Sequence, residues 1–196
     1  MSTSLIVLLG VLALVAFLAV NIYNRLVELK NRLENAFAQI EVQLKRRYDL
    51  IPNLLETLKA YLQHESQTLE NVVKARNTAL SALEAVAKNP ASPSSMDAFM
   101  RSEKAFQGAM GSLNIAVEAY PDLKASANMQ HFSEELTSTE NKISFARQAF
   151  NDAVTAYNTY KQSFPPVLLA GMFGHSENAR VLEFETAIQE APKVSF

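Results

Sequence analysis

An unbroken apolar run from Leu5 to Val20, with no charged side chain ahead of Arg25, constrains this chain more than any other feature. An apolar helix of roughly twenty residues crosses about 30 Å of hydrocarbon. Counting the hydroxyls of Ser2 to Ser4 and the interfacial pair Ile22 and Tyr23, the stretch reaches that length. The expected anchor is residues 1–23, with Leu5, Leu9, Gly10, Leu12, Val15, Phe17 and Val20 in the lipid bilayer. A cleaved signal peptide carries a basic n-region and a small-x-small cleavage site. Met1 to Leu5 holds no Lys or Arg and no persuasive site precedes Tyr23, so the helix is expected to be retained. Arg25, Lys30 and Arg32 crowd its C-terminal flank, which by the positive-inside rule predicts an outward N-terminus and a cytoplasmic body. Gly10, Ala13, Ala16 and Ala19 put small residues at steps of three, where the anchors of two copies can pack.

The rest of the 196-residue chain fits one domain with a sizeable core. Gly and Pro are sparse and Trp and Cys absent, a composition that favours helix and excludes disulfide or thiolate chemistry. A net charge of −2 argues against nucleic acid as a partner, because neutralising phosphates needs clustered Lys and Arg on a positive domain.

Leu26, Leu29, Leu33, Ala36, Ile40 and Leu44 alternate steps of three and four, one stripe on one helix. Pro52 interrupts it. Proline is tolerated in a first helical turn, so the spacing predicts a corner with Asp49 as N-cap and a second helix from Leu50, in preference to one rod kinked at Pro52. That helix carries Leu55, Leu58, Leu62, Leu69, Val72, Leu80, Leu83 and Val86 and ends before the loop Asn89 to Pro93. Ser94 with Asp97 predicts a capping box for a third helix bearing Phe99, Phe106, Met110, Leu113, Val117 and Tyr120. Beyond a corner at Pro121, Met129, Phe132, Leu136, Thr139, Ile143, Ala146, Phe150, Ala153, Tyr157, Tyr160 and Phe164 mark a fourth helix, ended by Pro165 and Pro166. The expected fold is all-α, an N-terminal transmembrane helix followed by an antiparallel up-down bundle of long helices over residues 24–164, packed at roughly 20°. The same stripes suit a coiled coil between copies.

Residues able to carry chemistry are few. His64, His131 and His175 lie on separate segments without the spacing of helical metal ligands, and are read as surface or packing residues. No di-metal Glu-x-x-His pair, phosphate loop or nucleophile elbow is present, so no catalytic residue, metal or cofactor is expected. Lys45, Arg46 and Arg47 are the strongest local charge and a candidate interface. They stand roughly 35 Å along the helix from the bilayer edge, beyond the reach of lipid charge, and are read first as a solvated face and second as a partner contact. The segment Phe164 to Gly174 is nearly all apolar yet broken by proline and glycine, too short to span. It is expected either as a lid folded over one end of the bundle or as an interface through Phe164, Leu168, Leu169, Met172 and Phe173, with a partner, a second protomer or a membrane surface against it. Residues 165–196 therefore read as an apolar loop, a short helix over Ser176 to Glu190 and a tail.

Tyr23 to Val27, Arg32 to Ala36, Gln43 to Leu54, Tyr120 to Lys124, Glu134 to Leu136 with Thr139 to Asn141, and Phe164-Pro165 leading to Phe173-Gly174 closely resemble the signature of the LemA family of bacterial membrane proteins. The resemblance covers nearly the whole chain. It implies a single N-terminal transmembrane helix in the bacterial inner membrane, an outward N-terminus and a cytoplasmic helical bundle. It supplies no catalytic residues, and the similarity of the magnetosome protein MamQ to the family implies a role in shaping or organising membrane. His175 departs from the more apolar continuation typical there. The expected protein is a non-enzymatic, membrane-anchored scaffold that forms homo-oligomers. Its rival is a membrane-tethered adaptor or sensor that binds a membrane or cytoplasmic protein through its bundle.

Overall fold

The computed structural model describes residues 3–62 and 64–183. Helix α1 (Thr3–Lys59) runs without interruption from the apolar stretch into the core, about 86 Å at 1.5 Å per residue. The corner expected at Asp49 does not exist, because Pro52 is accommodated within the helix. Proline has no N–H to give the Tyr48 carbonyl, and Arg76 Nε on the neighbouring helix donates to that oxygen instead, at 3.1 Å. The second helix, α2 (Ser66–Ala87), accordingly starts later than the spacing predicts. Leu55 and Leu58 belong to α1, and the buried Leu62 sits in the corner between the two.

Helix α3 (Pro93–Glu118) follows the loop after Ala87, then a single turn α4 (Pro121–Lys124) and the long α5 (Ala127–Gln162). The N-cap of α3 is Ser92 with Pro93 in the first turn, not Ser94 in a capping box, since a proline at the first helical position already supplies the required φ. Ser126 caps α5, its hydroxyl accepting from the Met129 N–H at 3.3 Å.

Helix direction follows from which residues meet. Phe37 packs edge-on against Phe99 at 6.3 Å and Phe150 at 5.5 Å. Further along α1, Arg47 reaches Glu103 on α3 and Glu140 on α5. Helix α3 therefore runs with α1 and α5 against it. Arg76 meets Tyr48, whereas the loop Asn89 to Ser92 lies beside Lys30, so α2 also runs against α1. This is the up-down bundle that the stripes predict. Its core is Leu26, Leu33, Phe37, Ile40 and Leu44 of α1 against Leu83, Phe99, Phe106, Ile143 and Phe150, all nearly inaccessible. Full burial of each such side chain contributes about 1.5–3 kcal/mol.

Burial on α1 begins at Ile22; from Leu5 to Val20 every residue is exposed except the half-buried Ala19. Thr3 to Asn21 thus project as an apolar arm, part of a helix long and apolar enough to cross a membrane. At the other end of the chain α5 runs back toward that arm. Its inward row passes through Val154 rather than the expected Ala153, and Phe164 lies beyond the helix, exposed. A cis Phe164–Pro165 bond leads into a 3-10 turn, Pro166–Leu168. Gly174, at φ +80°, closes the segment as a Schellman turn: the His175 N–H donates to the Ala170 carbonyl at 2.9 Å and the Gly174 N–H to Gly171 at 3.2 Å.

Residues 176–183 are not the helix expected from Ser176; the remainder of that expectation, to Glu190, lies outside the described residues. They run back along α5 as an irregular segment because asparagine side chains of α5 supply its backbone partners. Asn158 both donates to the Ala179 carbonyl and accepts its N–H, and Asn151 does the same for Leu182.

Candidate functional site

Two places in this fold carry more than packing. The first is a charged network inside the bundle. Arg47 is 6% exposed and Glu103 and Tyr48 are wholly buried. The guanidinium and the Tyr48 hydroxyl both donate to the Glu103 carboxylate, and a second Arg47 nitrogen reaches Glu140 at 3.1 Å. The guanidinium carbon of Arg47 lies 5.5 Å over the Tyr48 ring and 5.2 Å over Phe106. Burial works against the guanidinium charge, but Glu103, Tyr48 and Glu140 outweigh it and raise its pKa. Burial, then Glu103, drives the Tyr48 phenol far above the ordinary range, so it stays a neutral donor.

The basic run Lys45 to Arg47 is therefore not one surface. Lys45 pairs with Glu41 at 2.6 Å and Arg46 with Glu135 at 2.8 Å, but Arg47 points inward, because its position continues the buried row of Ile40 and Leu44 by one more step. An open cleft of about 360 Å3 between α3 and α5 adjoins this network, lined by Phe106, Met110, Asn114, Leu136 and Thr137 together with Arg47 and Glu140.

The second place is the tip formed by residues 164–174. Pro166 and Ala170 are buried and Leu169 and Phe173 pack on the core, so one face of the segment turns inward. The other face is bare: Phe164 is 79%, Leu168 66% and Met172 80% exposed. The Phe173 ring meets that of Tyr23 edge-on at 5.3 Å, which fixes the tip beside the base of the apolar arm. His175 is buried, its Nδ1 2.8 Å from the Tyr157 hydroxyl. Burial lowers its pKa first, with the charges of Lys30 and Lys161 adding to the effect. Buried Lys161 donates to the Glu177 carbonyl and lies 5.3 Å from the Tyr157 ring. His64 and His131 are exposed on other elements, and no group of three or more His, Cys, Asp or Glu able to hold a metal occurs among the described residues.

These features define a helical-bundle protein whose first helix extends as a candidate membrane span. The sequence profile of the LemA family matches residues 36–196, and the chain belongs to that family. It is 28% identical over 148 residues to Protein LemA of Metamycoplasma hominis, covering 76% of this chain and 63% of that protein. Two magnetosome proteins of Paramagnetospirillum magneticum, MamQ 1 and MamQ 2, are each 27% identical over 186 residues, covering 86% of this chain and 68% of theirs. The chain thus spans about two thirds of the length of these relatives.

Proposed function

We propose that this protein is a non-enzymatic, single-pass membrane scaffold: residues 1–23 anchor it, the bundle stands on the cytoplasmic side, and copies associate to organise membrane or a membrane complex. The observation that carries this reading is the continuity of α1, whose 57 residues join the apolar arm to the centre of the bundle with no linker. A tethered catalytic or sensory domain needs only a flexible leash, whereas a scaffold needs its body held at a fixed attitude to the bilayer. The LemA and magnetosome relatives are in keeping with it. The full-length protein is expected to resist carbonate extraction from vesicles and, reconstituted in nanodiscs, to sediment as a multiple of the 21.7 kDa protomer. A single copy per disc at every concentration removes the self-association from this reading.

The α3–α5 cleft favours a second reading, a tethered adaptor that receives an amphipathic helix of a partner there. Crosslinking in cells separates the two: adducts between copies favour the scaffold, one dominant foreign adduct the adaptor.

A further inference from the structure

The tip holds a surface that folding leaves uncovered and a position that says what covers it. From Ser163 to Gly174 the chain carries no charged residue. Phe164, Val167, Leu168 and Met172 all point outward, between 51% and 80% exposed. Exposed apolar clusters of this kind mark a contact with lipid or protein.

The contact between Phe173 and Tyr23 places that cluster beside α1 where the apolar run gives way to Arg25. Tyr23 follows Val20 by about 4.5 Å of helix, less than one turn. An aromatic residue at that level is the usual marker of the boundary between hydrocarbon and headgroups. The tip is thus level with the boundary, not somewhere along the bundle's flank.

Its backbone suits that setting. Unpaired N–H groups are costly wherever acyl chains exclude water. Here the Val167 N–H bonds to the Ser163 carbonyl, Leu169 and Ala170 both bond to Pro166, and His175 bonds to Ala170, each at 2.9 Å. Pro166 is buried and Ala170 sits in the core, so the outward side chains are presented in a set arrangement rather than on a loose loop.

We infer that residues 164–172 form a second membrane contact, an apolar tip that sinks into the headgroup and acyl boundary of the leaflet from which α1 emerges. The inference rests on α1 being a membrane anchor, as proposed above. With the transmembrane rod and the tip both engaged, the bundle contacts the bilayer at two points and cannot swivel freely about α1. A second copy of the chain covering the same cluster is the competing outcome.

The chain contains no cysteine, so single-cysteine variants report on one position each. Leu12→Cys, Met172→Cys and Ile115→Cys, each in the full-length protein, are labelled with a polarity-sensitive fluorophore and reconstituted into phosphatidylcholine–phosphatidylglycerol vesicles. Nitroxides are placed on the lipids either near the headgroup or at mid-chain. Met172 and Ile115 are 80% and 73% exposed, so neither substitution disturbs the core, and Ile115 lies on α3 well beyond the level of Phe106. The Met172 label is expected to lose about half its emission to shallow nitroxides, the depth at which interfacial apolar segments rest, while Ile115 is unaffected and Leu12 is quenched most by the mid-chain nitroxide. Quenching at Leu12 with Met172 behaving like Ile115 overturns the tip contact and leaves the anchor standing. A blue-shifted Met172 label that lipid nitroxides cannot reach overturns it in favour of a second copy. An unquenched Leu12 overturns the anchor itself.

Discussion

Arg76 Nε donates to the backbone carbonyl of Tyr48, the oxygen that Pro52 leaves without its helical partner. The same guanidinium reaches Asp49 at 3.5 Å, so one side chain from α2 spans the weakest turn of α1. Replacing Pro52 by alanine restores an N–H to that turn. Arg76→Ala is expected to cost about 1–3 kcal/mol in the native background, the cost of a buried carbonyl left unpaired, and distinctly less alongside Pro52→Ala. Urea denaturation of the four proteins of this double-mutant cycle measures the difference, and equal costs in both backgrounds refute the link.

Glu103 answers to two donors at once, Arg47 and Tyr48. Glu103→Leu strands the guanidinium in the core with only the exposed side of Glu140 as counter-charge, and is expected to destabilise by about 3–5 kcal/mol. Adding Arg47→Met removes the stranded charge and recovers most of the loss. Thermal unfolding by circular dichroism reads both, and a double variant no better than Glu103→Leu contradicts the prediction.

The burial of His175, with Lys30 and Lys161 nearby, makes the C-terminal segment sensitive to acid. Folding lowers the His175 pKa below its ordinary 6.5, so the unfolded segment binds a proton that the native one resists. Stability from this group is complete above that value and declines as the pH drops through it. The protection factors of the Ala179 and Leu182 amides, which remove the intrinsic pH dependence of exchange, are expected to fall as the pH drops below 6.5, and His175→Gln, which does not titrate, flattens the response.

Asn158 holds Ala179 by two hydrogen bonds of 2.9 and 3.0 Å. Asn158→Ala removes both, at about 1 kcal/mol each, and frees the C-terminal segment while leaving the Glu103 network untouched. Trypsin is expected to cut after Arg180 faster in the variant, with no change in the thermal midpoint of the bundle. A lowered midpoint with unchanged cleavage reverses the assignment.

Periodicity alone predicts the order and direction of the long helices, because each buries one narrow stripe and the stripes at Leu26 to Leu44 and Met129 to Tyr157 are nearly continuous. The corner at Asp49 is a false signal for a physical reason: what rescues Pro52 is a donor 28 residues from Tyr48, invisible to any local rule. The irregular path after His175 is missed likewise, since Asn151 and Asn158 read as solvent-facing helix residues until a backbone lies against them. The Arg47–Glu103 pair was legible in principle. Glu103 stands midway between Phe99 and Phe106 on the inward row of α3, and Arg47 one step past Leu44 on that of α1, two opposite charges at core positions.

No glycine or turn separates Val20 from Leu26 on α1. Tilting or turning the arm by some angle must therefore carry Leu26, Phe37 and Arg47 through the same angle, and with them every helix that grips those side chains. The molecule is built like a key, its shank and bit cut from one bar, so that torque applied at the apolar end is passed on to the other.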